Sequence, residues 1–418
     1  MTTQRKKYGV AFDVGTTSVA SALVDIESKK VLATRSLANP QRKWGADVLA
    51  RVRAVTEEPH LLTELQSAIV GAMNELIAEL TEEAGEGEVL EITAAGNSVM
   101  EHILVGVSPS SFSRVPYKPA FKEAKIISAT EIGINAPAAS LYTFPLIGGF
   151  IGGDTVSMLL SLALEEKKKT ALAIDVGTNS EIVLAHDGVF YGASAAAGPA
   201  FEGGGIKHGT YAAPGAIEGV SLSEGEVELT TIGHKEPRGI CGSGLTEAVS
   251  ELIGTGIIES SGRIKDASEV DTNLSSRIKS TGEHGNAFVL FKGPSSEITL
   301  DQTDIRNFQT AKSAIRAGIN VLLSRADITA SDVTEVYIAG AFGANLDKNA
   351  LERVGVLDSC WHDMIYTVGD AALDGAVIAL GSDGARKEAA RIAAVTKYVS
   401  LSGSPGFERE FISNMNFK

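Results

Sequence analysis

At 418 residues the chain exceeds one ordinary core, which points to two or more domains, and its 44% hydrophobic and 21% charged residues are those of a soluble globular protein. A formal charge of −15 excludes a basic nucleic-acid groove but leaves room for a bound nucleotide, which needs only a few main-chain N–H groups and one cation. Two cysteines, Cys241 and Cys360, exclude a disulfide framework and fall short of the four thiolates that an iron–sulfur cluster on one chain requires. The seven histidines show no metal-ligand spacing, no apolar segment follows the polar start, and no uncharged apolar run reaches the ~18 residues of a membrane span. The expected location is therefore the cytoplasm.

In chain order, Tyr8 to Phe12 is a short apolar run closed by Asp13-Val14-Gly15-Thr16-Thr17-Ser18, and Val19 to Val24 is the next. A turn at Glu27 to Lys30 leads to a third strand ending near Ser36. Asn39 to Gly45 reads as a loop, followed by a helix from about Asp47 that Pro59 ends. Leu65, Ile69, Met73, Leu76 and Leu80 fall at helical spacing and form one apolar face. Val89 to Ala94 is a strand, and Gly96-Asn97 turns it into a helix over about Ser98 to Leu104. Five of the twelve prolines lie between Ser108 and Pro145, which marks irregular strand and loop. Leu146 to Ile151 is expected as a strand closed by Gly152-Gly153, after which Asp154 opens an apolar helix and suits its N-cap.

The second half starts by repeating the first. Ala171 to Ile174 enters Asp175-Val176-Gly177-Thr178-Asn179-Ser180, Ile182 to Ala185 leaves it, and a turn at His186 to Gly188 precedes a third run. A glycine-dense tract covers Ala197 to Gly205, and a helix is expected from about Thr246 to Ile253 after Arg238 to Leu245. Ser260 to Glu283 reads as an exposed excursion, Asp304 starts a long helix, and the strand Glu335 to Ala339 ends in Gly340-Ala341-Phe342-Gly343. The last helices are expected over about 371–380 and 385–398.

Neither repeated turn is a Walker-type loop, because each lacks the lysine and runs into a strand. The alternative holder of phosphate is a tight β-turn whose successive N–H groups point at one anion. Gly15 and Gly177 permit a close approach, and Thr16, Thr17, Thr178 and Asn179 add side-chain donors. A carboxylate heading such a turn repels phosphate unless a cation intervenes, so Asp13 and Asp175 imply Mg²⁺, contacted through water.

The two turns resemble the phosphate motifs of the actin, sugar-kinase and heat-shock-chaperone (ASKHA) superfamily, and Ala339 to Gly343 resembles its adenosine motif. Further stretches narrow the resemblance. Asn39-Pro40-Gln41, Gly45 to Val48, Gly96-Asn97 with Met100, Ala197 to Gly203, Ala213 to Ile217 and Ile240 to Leu245 are similar to the ATP-dependent reductive activators of corrinoid proteins. The resemblance implies an α/β, two-lobed, actin-like fold of duplicated RNase H-like halves with ATP in the cleft between lobes. It implies an N-terminal lobe over 1–168 with an inserted subdomain, a C-terminal lobe over 169–368, and helices over 369–418 returning toward the interlobe region.

The same resemblance implies the site. Asp13 and Asp175 would hold hydrated Mg²⁺; Gly15, Thr16, Thr17, Gly177, Thr178 and Asn179 would hold the phosphates; Gly340 and Gly343 would lie against adenosine. Asp154 and Asp175 are the catalytic candidates, Asp154 by orienting or deprotonating the attacking water, and Glu202 is a second candidate near the nucleotide. Such an activator drives the uphill reduction of Co(II) to Co(I) on a partner corrinoid methyltransferase protein. Family members typically add a ferredoxin-like iron–sulfur domain. With two cysteines this chain is expected to hold no cluster, and a separate ferredoxin or flavoprotein supplies the electron. A small-molecule (sugar or acid) kinase on the same fold, a non-enzymatic actin- or chaperone-like nucleotide module, and a cluster bridging two subunits through Cys241 or Cys360 are the alternatives.

Overall fold

The computed structural model describes residues 5–164, 169–223, 225–282, 285–294, 296–340 and 347–418. They divide into two compact units. One comprises Met1–Lys168, Gly188–Gly192 and Asp370–Tyr398, and the other Lys169–Asp187, Ala193–Gly369 and Val399–Lys418.

In the first unit, β1 (Lys6–Val14) turns into β2 (Ser18–Asp25) and then β3 (Val31–Ala38) as an antiparallel meander. Helices α1 (Val48–Glu57) and α2 (Leu61–Ala84) follow, then β4 (Gly87–Gly96), which runs parallel to β1, and α3 (Ser98–Leu104). After β5 (Lys125–Ser128) and β6 (Ser140–Thr143) comes α4 (Gly153–Leu162). The sheet order is β3-β2-β1-β4-β6-β5. Central β1 buries Tyr8, Val10, Ala11, Phe12 and Val14, so consecutive residues are apolar, as a strand covered on both faces requires. The expected face of α2 packs against β2 and β3: Leu65, Ile69, Met73, Leu76 and Leu80 are all buried, and truncating any one to alanine costs about 2–5 kcal/mol.

The second unit begins with β7 (Ala171–Asp175), β8 (Ser180–His186) and β9 (Val189–Ala195). A three-stranded sheet of β10 (Ala216–Ser223), β11 (Glu226–Thr231) and β12 (Gly239–Ile240) leads to α5 (Gly242–Gly254). A second small sheet, β13 (Ile278–Ser280), β14 (Asn286–Lys292) and β15 (Glu297–Asp301), leads to α6 (Gln302–Arg325). Then come β16 (Glu335–Ala339), α7 (Lys348–Arg353) and β17 (Ile365–Gly369). The main sheet of this unit runs β17-β16-β7-β8, bordered by the end of β9. β7 is antiparallel to β8 and parallel to β16, the relation that β1 has to β2 and β4. The repeat in sequence is thus a repeat in topology.

Helices α8 (Ala371–Ala379) and α9 (Asp383–Val395) belong to the first unit, and α10 (Pro405–Ser413) to the second. α8 lies against α4 without room for a side chain at Gly375, where an added Cβ would stand 1.9 Å from the Ser157 carbonyl. Ser157 Oγ donates to Ala372 O at 2.6 Å, Thr93 Oγ1 to Ala376 O at 2.7 Å, and Arg386 pairs with Glu91.

Several local expectations are corrected. Leu146 to Ile151 is no strand: Gly148 (φ 152°) and Gly149 (φ 54°) fold it back so that the N–H groups of Ile147 and Gly148 both reach Ile151 O. The 39–45 loop holds a 3₁₀ turn over Pro40–Trp44. α5 starts four residues early, because Gly244 must press on Ile217 O, where a Cβ would be 2.2 Å away. The 260–283 excursion contributes β13 and buries Ile264, Leu274 and Ile278. α9 ends at Val395, since Thr396–Tyr398 pairs with Phe190 to Gly192, and α10 lies beyond the last expected helix. Its signal was Ser404-Pro405, a proline in the first helical turn.

Candidate functional site

The first turn links β1 to β2. Asp13, Gly15, Thr16 and Thr17 are half-buried around a buried Val14, and the second turn repeats this pattern at Asp175, Val176, Gly177, Thr178 and Asn179. Gly15 admits no side chain, as a Cβ would lie 2.8 Å from Ser18 O. Register sets what stands beside the turn: Val14 pairs with Gly96, so Asn97 emerges next to it. Asn97 caps α3 by accepting from Val99 and Met100 N–H at 3.1 and 3.0 Å, and its Nδ2 donates to Thr16 Oγ1 at 3.1 Å. Gly152 then packs on the same corner, with Ser98 N, Asn97 C and Gly96 O all within 2.5 Å of where its Cβ would be. Three glycine-dependent contacts therefore bring the start of α4 beside the first turn.

Asp154 sits in the first turn of α4, and the N-cap is Gly152. The expected capping role is thus corrected: Asp154 Oδ1 instead accepts from Thr155 N at 2.6 Å, in a position where a carboxylate also suits the helix dipole. Burial pushes its pKa up to about 6, against hydrogen bonds from Thr155 and the main chain. A second buried carboxyl, Glu101 on α3, lies near enough to feel the Asp154 charge. Its carboxyl is 1% exposed, neither oxygen has a hydrogen-bond partner, and it lies against Gly153, whose added Cβ would be 1.9 Å from Oε1. Burial, and then the Asp154 charge, raise the Glu101 pKa well above the carboxylate range. Thr143 and the main chain at Gly96 and Phe144 stand close enough to favour the anion, but short of hydrogen-bonding geometry. Two carboxyls this near in low dielectric do not both ionise readily, and Glu101 is the one held neutral.

A neutral Glu101 makes a testable statement about stability. Its folded pKa is raised, so its contribution is fully present below about 4.5, the unfolded value, and is lost as pH rises. Glu101→Gln does not titrate and escapes that loss. The variant is expected to melt about 2–4 °C above wild type at pH 8, with the gap closing toward pH 4.5. Equal melting at both pH values by calorimetry contradicts the assignment.

In the second unit, Asp175 closes β7 beside Ala339 of β16. Gly340 (φ 94°) follows, and a Cβ there would be 2.7 Å from Asp175 Oδ1. By register Gly340 occupies the place that Gly96 has in the first unit. Glu202, in the turn Pro199–Glu202, accepts from Thr178 Oγ1 at 2.6 Å, and its Oε1 would meet a Cβ on Gly177 at 3.4 Å. The structure thus gathers Asp175, Gly177, Thr178, Glu202 and Gly340, with the Thr178 hydroxyl directed at Glu202. Gly343 lies outside the described residues. Cys241 is buried with Sγ donating to Ile217 O at 3.2 Å, and Cys360 is exposed.

Asn97, Glu101 and Arg51 received no role from the sequence. His102, also without one, is a fully buried neutral ring. Ser98 O lies 2.6 Å from Nδ1 and Ala120 N–H donates to Nε2 at 2.9 Å, while burial lowers its pKa to about 4.

Known proteins resemble the chain along its whole length. Residues 8–167 match the family described as the RACo middle region, and residues 169–418 match the C-terminal domain of RACo, the ASKHA domain. The chain is 32% identical over 98% of its length to corrinoid activation enzyme RamQ of Eubacterium limosum, covering 70% of that protein. It is 25% identical over 83% of its length to a [Co(II) methylated amine-specific corrinoid protein] reductase of Methanosarcina barkeri, covering 65% of it. A solved structure, a reductive activator for corrinoid, iron-sulfur protein, superposes with a TM-score of 0.90 at 37% identity, over all of this chain and 67% of that one. These relatives are longer than the present chain. The chain belongs to the RACo family of corrinoid-protein activators, with an ASKHA fold.

Proposed function

We propose that the chain binds ATP through its two acidic glycine turns and hydrolyses it to drive reduction of a partner corrinoid methyltransferase protein from Co(II) to Co(I). The observation that carries this is the duplicated strand–turn–strand, each copy headed by a half-buried carboxylate, in a chain whose relatives are named for corrinoid activation. The residues fit a hydrated Mg²⁺. Each turn offers one half-buried carboxylate, enough for an ion that keeps most of its waters and takes its other ligands from phosphate. Asp13 and Asp175 would hold it, and it would neutralise phosphate charge there. Gly15, Thr16, Thr17, Gly177 and Asn179 would receive the phosphates, and Gly340 the adenosine. Thr178 would reach them through its main chain, since its hydroxyl serves Glu202.

Asp154 is the group that orients or deprotonates the attacking water. A pKa near 6 leaves it ionised at neutral pH yet basic enough to accept a proton. Each electron passed gives one Co(I) from one Co(II), and we assign its supply to a separate ferredoxin or flavoprotein. Coupling to nucleotide turnover is useful because state-selective binding of ~1.4 kcal/mol moves a one-electron potential by about 59 mV. No described helix is long and apolar enough to cross a membrane, and we place the reaction in the cytoplasm.

Steady-state ATP turnover tests the reading against a small-molecule kinase. Turnover is expected to rise at least several-fold on adding a corrinoid protein captured from the same cells in its Co(II) form, and to ignore sugars and organic acids. The opposite pattern contradicts it.

A further inference from the structure

Arg51 is fully buried, on the face of α1 that also buries Val48, Val52 and Val55. Its guanidinium donates from Nε to Gly45 O at 3.1 Å and from Nη1 to Gln41 Oε1 at 3.0 Å, faces Met100 Sδ at 3.1 Å, and donates from Nη2 to the carbonyl of Thr16. None of these partners is a carboxylate. Asp47, one turn earlier, accepts from Ala50 N–H at 2.8 Å with its Oδ1. Burial lowers the Arg51 pKa to about 10, so the cation persists at neutral pH. Its hydrogen-bond acceptors are all neutral, the nearby Asp47 charge offsets part of the cost of burying the cation, and its location says what else can.

The location is the back of the first turn. Asn39 Nδ2 donates to Gly15 O at 2.8 Å, its main-chain N–H donates to Thr17 O at 2.9 Å, and its Oδ1 accepts from Gln41 N at 2.9 Å. Gln41 is fixed in turn by Leu65 O at 2.9 Å from Nε2. In a planar trans peptide the C=O and the following N–H point in opposite directions. Holding the carbonyls of Gly15 and Thr16 from one side therefore aims the N–H groups of Thr16 and Thr17 to the other. The second turn has different partners: Gly198 N donates to Thr178 O at 2.9 Å and Ser180 Oγ to Gly177 O at 3.2 Å, neither of them charged.

We infer that Arg51 and Asn39 are positioning residues for phosphate, orienting the N–H groups of the first turn toward the anion while Arg51 places a buried positive charge behind them. The two turns are then unequal, and the first carries the stronger preference for the phosphate groups of the nucleotide. This rests on the nucleotide reading above.

The test compares binding of ATP and of adenosine by calorimetry, the latter by displacement, in wild type, Arg51→Met and Asn39→Ser. Serine keeps the cap over Gln41 N but cannot reach Gly15 O. Arg51→Met is expected to weaken ATP at least tenfold and Asn39→Ser several-fold, with adenosine within twofold of wild type. Equal loss for both ligands reduces Arg51 to a structural group and overturns the inference, as does unchanged ATP affinity. If Arg51→Met does not fold, Asn39→Ser decides alone by the same criteria. A wild-type chain that binds no nucleotide overturns the nucleotide reading and this inference together, whereas tight wild-type binding with unaffected variants overturns the inference alone.

Discussion

Replacing Asp13 or Asp175 with alanine is expected to weaken ATP binding in Mg²⁺ by at least about 100-fold, near 2.7 kcal/mol, while the protein stays folded. Both carboxylates end a central strand and are half-buried, so neither is part of the apolar core that holds its sheet together. Their removal creates no large cavity. On the proposed reading, what it removes is the group that would let a phosphate approach in the company of a cation. At Asp175 the surroundings are shaped to the carboxylate, since Gly340 leaves space only for its oxygen. Circular dichroism matching wild type, with binding lost by calorimetry, is the expected pair of results. Affinity within a few-fold of wild type for both variants contradicts the assignment of these turns to phosphate.

Asp154→Asn is expected to retain ATP binding and to lose hydrolysis by about 10²–10⁴-fold. The same substitution should stabilise the protein. The folded pKa is raised from 3.8 to about 6, so the stability linked to the protonated group is fully present below 3.8 and lost as pH rises through 6. Asparagine avoids up to about 3 kcal/mol of that loss at pH 8. A carboxylate kept where a neutral side chain would sit better is what the proposed catalytic role of Asp154 requires. Wild-type turnover should fall as pH drops through about 6, when Asp154 takes up its proton. Undiminished turnover in the variant would leave Asp154 only its contacts with Thr155 and the helix dipole.

The architecture was legible because its signals are local and repeated. Asp-Val-Gly-Thr between two apolar runs, written twice, gives the meander of each sheet, and the spacing from Leu65 to Leu80 gives the face of α2. The strand at Leu146 to Ile151 misled because apolar residues fold as readily around Gly148-Gly149 as they extend, and burial does not distinguish the two. The supports of the site were hidden for another reason. Arg51 and Glu101 are charged residues that sequence reasoning assigns to solvent by default. A trace was present for Arg51: Val48, Val52 and Val55 at helical spacing put it on the buried face of α1. For Glu101 there was none, because α3 is buried on every side. The asymmetry between the turns, with arginine behind one and Glu202 beside the other, needs tertiary contacts from Asn39, α1 and the 199–202 turn.

The most direct measurement of the central claim is the visible spectrum of a Co(II) corrinoid protein from the same cells, mixed anaerobically with this chain and a low-potential electron donor. The account predicts that Co(I) absorbance appears when ATP and Mg²⁺ are added and stays absent with ATP and the Asp154→Asn variant. Co(I) forming at the same rate without ATP, or not forming with wild type and ATP under any donor, would contradict it.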